Sequence, residues 1–238
     1  MRKLLSRFLP MRSKKLPSFD EGMAAYQDGN FSTALDIWIP LAHEGCEVAQ
    51  SAVGYLYEKG YGVPQDHAVA LHWFTLAADK GDAFAQLSLG LMYNAGQGVP
   101  RSDEIAVKWY TLAAEQGDKI AQLALGCVHL SEDGWGVPQN YPLALKWFRR
   151  AAIRGCSRAR YRLGEMYENG WGVQQSYDTA LKHYKTSAEL GDERGQVNLG
   201  LLYYEGLGIY PNEEIAKEWF QLAAEQGSHE AQYYLDVI

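Results

Sequence analysis

The sequence has little cysteine, little proline and no long apolar run, and each shortage excludes a class of protein. Three cysteines (Cys46, Cys127 and Cys156) cannot make a disulfide framework. No stretch approaches the roughly 18 uninterrupted apolar residues of a membrane-spanning helix. A cleaved secretory signal needs about 7–15 apolar residues after its basic start. Arg7 interrupts Leu4–Leu9 and Arg12 follows soon after, so such a signal is not expected. Chemistry-bearing patterns are missing too. The histidines His43, His67, His72, His129, His183 and His229 form no i,i+4 pair around a glutamate, and no Cys-x-x-Cys occurs, so no metal site and no cofactor are expected. There is no G-x-x-x-x-G-K-[ST] phosphate loop, no G-x-S-x-G elbow and no S-x-x-K. The expected catalytic set is empty.

Charge is unevenly placed. Residues 1–18 carry Arg2, Lys3, Arg7, Arg12, Lys14 and Lys15 with no acid, so 16 of the 22 basic residues remain against 29 acidic ones beyond it, a net of −13. A body this acidic repels phosphate backbones, which argues against nucleic acid as the partner. Residues 1–18 read as a disordered basic tail. Leu4, Leu5, Phe8 and Leu9 would share one helical face, so the alternatives for residues 1–16 are membrane-surface contact or an organelle presequence.

What the chain does have is self-similarity. Gly45, Gly81, Gly117, Gly155, Gly191 and Gly227 recur at spacings of 36, 36, 38, 36 and 36 residues. Each unit reads as an A-helix of the form A-Q-x-x-L-G-x-x-Y (Ala85, Gln86, Leu89, Gly90, Tyr93). A G-x-G-V loop and a B-helix with an aromatic pair and Ala-Ala (Trp109, Tyr110, Ala113, Ala114) follow. Ala70, Trp73, Ala77 and Gly81 fall at helical spacing and predict one buried stripe. Asp66, Ser102, Asn140, Ser176 and Asn212 stand where the B-helices need N-caps, and Asp82, Asp118, Asp192 and Ser228 where the A-helices do. The small A-helix glycine predicts a close helix crossing. Since the G-x-G pairs follow helices rather than strands, a dinucleotide fold is excluded. No unit contains two cysteines, so the thiols are expected to be free.

The expected organisation is a tail (1–18), an atypical leading helix pair (19–45), five repeats (46–81, 82–117, 118–155, 156–191, 192–227) and a capping helix (228–238). In the leading pair Pro40 is expected to kink its helix or end it early.

These units, with the G-x-G-V-P loop as their mark, resemble Sel-1-like repeats, relatives of tetratricopeptide repeats, over about residues 19–238. The resemblance implies an all-α, right-handed superhelical solenoid with A-helices lining a concave face. It also implies scaffold or adaptor roles, most often in bacteria, and the leading unit is similar to proteobacterial members. Some cysteine-rich members of this family have been discussed as β-lactamase-like, but this chain lacks their paired cysteines and any Ser/Lys set.

Helix position predicts which side chains face that groove: those six before, three before, one after and four after the A-helix glycine. The expected partner-binding residues are Tyr55, Phe84, Leu87, Leu91, Asn94, Ile120, Leu123, Arg158, Tyr161 and Glu165. Two further patches are candidates. One is the residue between the loop glycines, aromatic at Tyr61, Trp135 and Trp171. The other is an acid-free run holding Arg149, Arg150, Arg154, Arg158, Arg160 and Arg162, from which Arg154 and Arg162 are singled out. The function expected is a non-catalytic, monomeric, cytoplasmic adaptor that binds a peptide or helix segment of another protein. The alternative is a binder of glycan or peptidoglycan fragments through Trp135, Trp171 and the arginines.

Overall fold

The computed structural model describes residues 18–132 and 136–238, which form thirteen α-helices and, among the described residues, no strand. The chain divides into two compact units, Met1–Ala85 and Gln86–Ile238. Residues 1–17 of the tail and the loop residues Asp133, Gly134 and Trp135 lie outside the described residues.

The first unit holds α1 (Phe19–Gln27), α2 (Phe31–His43), α3 (Glu47–Lys59), α4 (His67–Ala78) and the start of α5 (Ala83–Ala95). Its core gathers Ala34, Leu35, Trp38, Ala42, Ala49, Val53, Leu56 and Trp73. Of the two outcomes expected for Pro40, an early end is not what is found: α2 runs on to His43 with the proline inside it. Proline removes one backbone donor, but burial of Ala34, Leu35, Trp38 and Ala42 along one face holds the helix beyond it.

The second unit continues α5 and adds four full helices of each kind or their ends in order. They are α6 (Asp103–Glu115), α7 (Lys119–Leu130), α8 (Tyr141–Ile153), α9 (Ser157–Asn169), α10 (Tyr177–Glu189), α11 (Glu193–Glu205), α12 (Glu213–Glu225) and α13 (His229–Val237). From α6 onward each helix packs on the next, and α9 also touches α11, the following A-helix.

The caps act as the sequence predicts. Asp66, Ser102, Asn140, Ser176 and Asn212 each accept from a backbone N–H in the first turn of a B-helix. Asp82, Asp118, Asp192 and Ser228 do the same for A-helices. Cys46 and Cys156 occupy the cap position of α3 and α9 without a side-chain bond.

Glycine sets how closely A and B approach. A Cβ on Gly54 or Gly200 would fall within 3 Å of the ring of Phe74 or Phe220, and Gly126 and Gly164 stand equally close to Phe148 and Tyr184. Helix ends are stitched by a recurring glutamine. Gln50, Gln122 and Gln196 donate from Nε2 to the carbonyls of Ala42, Ala114 and Ala188 at 2.9, 2.9 and 3.4 Å. Arg160 stands at that register in α9.

Candidate functional site

The expected groove residues separate by row. The row three residues before the A-helix glycine is inside: Ser51, Leu87, Leu123, Tyr161 and Val197 are between 2 and 9 % exposed. Leu87, Leu123 and Tyr161 therefore do not belong to an accessible floor, a correction with a simple cause. That row is turned into the core: Leu87 belongs to the cluster of Tyr110 and Trp147, Leu123 to that of Phe148 and Cys156, and Tyr161 to that of Leu199, with its ring 5.9 Å from Tyr184. The row six before the glycine is outside, with Val48, Phe84 and Ile120 at 43–45 % and Arg158 and Arg194 also exposed. Leu91, one residue after its glycine, is 46 % exposed, while Tyr55 and Glu165 at the same register are half-buried, as is Asn94.

In the first unit Tyr55 meets Tyr61 and Phe84 edge-on at 6.1 and 5.9 Å, and Phe31 stacks on Tyr61 at 4.7 Å. Burial, then a hydrogen bond with Tyr26, pushes the Tyr55 pKa above the usual phenol value. In the second unit Glu165 is held on both oxygens, by the Tyr161 hydroxyl at 2.6 Å and by Arg162 Nη1 at 2.7 Å. Burial and that bond to Glu165 push the Tyr161 pKa well above the usual phenol range.

A cavity of about 380 Å³ opens beside this pair. Cys127 and Leu130 come from the last turns of α7, Ser131, Glu132 and Gln139 from the longer loop of that repeat, Tyr141 from the start of α8, Arg162 from α9 and Trp171 from the next loop. Trp171 lies nearly parallel to Tyr141, 4° off, with ring centres 6.4 Å apart. Gln139 spends its amide on the Leu130 carbonyl, closing the helix end. The Arg162 Nε is out of solvent and without a hydrogen-bond partner among the described residues. Burial raises the Cys127 pKa, with Arg162 pulling against it, so the thiol is protonated at neutral pH. The cavity thus joins residues from all three patches that the sequence suggested separately. Sequence reasoning had placed Cys127 and Leu130 on the groove face, but not Gln139 or Tyr141. The only signal for those two was their position after the two-residue insertion.

The arginine run is dispersed. Arg150 lies over the Trp147 ring at 5.0 Å, and the Arg154 guanidinium covers Gly117, whose added Cβ would sit 2.8 Å from it. Arg154 itself is exposed. Trp135 lies outside the described residues. Among the described residues no cluster of three or more His, Cys, Asp or Glu side chains is placed to hold a metal, and no helix is long and apolar enough to cross a membrane.

Comparison with known proteins gives a consistent answer. The family model described as Sel1 repeat matches residues 48–82, 83–118, 119–156, 157–192 and 194–228. A Sel1 repeat protein from Oxalobacter formigenes is 34 % identical, with 91 % of this chain and 86 % of that one covered and a TM-score of 0.86. A protective antigen present in uropathogenic Escherichia coli, displaying an SLR fold, is 33 % identical at a TM-score of 0.80; 92 % of this chain is covered, which spans 51 % of the antigen. An immunity protein from Pseudomonas aeruginosa, 22 % identical at a TM-score of 0.56 over 91 % of this chain and 85 % of that one, shares the fold. No curated protein matches the chain.

Proposed function

The chain belongs to the Sel1 repeat family, and from that premise we propose that it is a non-catalytic interaction scaffold that seats an apolar or aromatic side chain of a protein partner in the cavity between α7 and α9. The cavity carries this reading. Its volume of about 380 Å³ lies in the range of small-ligand sites, and Leu130, Tyr141 and Trp171 give it apolar walls. A buried aromatic anchor in such a pocket is the usual centre of a protein interface. Arg162, whose guanidinium lines it, is already paired with Glu165 at 2.7 Å, so an incoming apolar group does not strand that cation.

The test is affinity purification with mass spectrometry on the wild-type chain beside Trp171→Ala, with melting temperature measured on both. Partners held by the wild type and lost by a variant of unchanged stability are the expected result. Equal recovery by both would overturn the cavity as the site.

A further inference from the structure

Of the six arginines in the acid-free run, Arg158 is exposed on the groove row, and two others, Arg149 and Arg160, act on one histidine. Arg150 lies over Trp147, Arg162 is paired with Glu165, and Arg154 is exposed beside Gly117. Arg149 reaches from α8 and donates from Nη2 to the Tyr167 hydroxyl at 2.8 Å, a neutral acceptor that leaves its charge unanswered. Arg160 on α9 makes no side-chain hydrogen bond or ion pair among the described residues, and its Nε is shut off from solvent. It occupies the slot where three other repeats place the stitching glutamine.

His183 on α10 completes the group. It stands where the B-helices elsewhere carry Trp73, Trp109, Trp147 and Trp219, and its ring stacks on Tyr167 at 5.5 Å with planes 13° apart. Burial first, then Arg160, then Arg149 push its pKa down to about 4, and no carboxylate acts against them. In a body carrying a net of −13 beyond residue 18, Arg149 and His183 both contact Tyr167, and Arg160 precedes Tyr167 by seven residues, close to two turns, on the same face of α9. Arg149 is exposed at the rim, whereas Arg160 is half-buried with its Nε shut off from solvent, and holding a guanidinium there without an acid is unfavourable unless something of opposite sign completes the arrangement.

We propose that Arg149, Arg160 and His183 form a binding site for one phosphate monoester, carried on a side chain of a protein partner. A phosphate monoester brings a charge of about −1.5 to −2 and three acceptor oxygens. That matches two guanidiniums, each able to give paired N–H bonds, and one imidazole donor. A lone carboxylate would answer only one of the two arginines. The strongly acidic remainder of the chain disfavours a polyanion such as nucleic acid and favours a single local dianion. That the phosphate rides on a protein rests on the scaffold reading above; the anion site itself does not.

The experiment follows the His183 ring signals by NMR at pH 6.5 while inorganic phosphate, O-phosphoserine or sodium chloride is added at equal ionic strength. The full chain is compared with Arg160→Gln, which restores the residue other repeats use and should fold at least as well. The expected result is a saturable shift with both phosphates, none with chloride, and an affinity at least tenfold weaker in R160Q. With phosphate bound, the His183 titration should also move up toward the ordinary histidine range, because the two arginines are then neutralised. No saturable shift, or an equal one in R160Q, would overturn the site. Binding of inorganic phosphate with exclusion of O-phosphoserine would overturn the partner-borne source. These failures leave partner capture through Trp171 untouched, so the two readings fail separately.

Discussion

The ring of Tyr110 lies across Gly90 so closely that a Cβ on the glycine would sit 2.5 Å from two ring carbons. Real side chains do not approach that near, so one of the two helices must shift if anything but glycine stands there. The aromatic is fully buried on its own helix and has no free space to retreat into.

Gly90→Ala should therefore destabilise the chain by about 1–3 kcal/mol through overpacking. Gly90→Asp should cost more, since it adds an unpaired charge to the same crossing. Chemical denaturation of both variants measures this. A glycine in open space, Gly81, is not a fair control because its φ of +97° strains any side chain; Ala124→Ser on the same class of helix serves better.

Leu91 and Leu123 were alike in sequence and differ in place. Leu91→Glu should leave the melting temperature within a few degrees of wild type, because the side chain is 46 % exposed. Leu123→Glu should cost several kcal/mol, because it puts an uncompensated charge beside Phe148 and Met166. Equal stability of the two variants in thermal unfolding would mean that the burial of the row containing Leu123 is misassigned.

Stability should fall as pH drops from about 6.5 toward 4, and His183 should account for part of the slope. Folded, its imidazole takes a proton only near pH 4, whereas the unfolded residue takes one near 6.5, so within that window the unfolded chain binds the proton preferentially. His183→Phe keeps the stack on Tyr167 and removes the titration. Its melting temperature should depend less on pH between 6.5 and 5, above the range where most carboxylates protonate. An unchanged slope would sink the assignment.

Cys46, Cys127 and Cys156 are all free. Protein handled without air and alkylated under denaturation should carry three modified thiols by intact mass. In native conditions Cys156, which is buried, should react most slowly.

The sequence by itself determined the helix pairs, their caps and their closest crossings. Each depends on local periodicity or on one residue's backbone preference: Asn212 accepting from the Ile215 N–H, or a glycine six times facing an aromatic ring. It also held the signal for the arginine–histidine site, because the Gln-to-Arg change at 160 and the Trp-to-His change at 183 fall in one repeat. Only the tertiary structure decided that these two departures meet, since they lie on different helices and proximity depends on how α9 packs against α10. The same holds for the groove. Helical spacing put Leu87, Leu91, Ile120 and Leu123 on one face. Burial, however, depends on which edge of that face the neighbouring helices cover, and they cover the row of Leu87 and Leu123. A single helix period carries no information about its neighbour's angle, which is set by side chains on other helices.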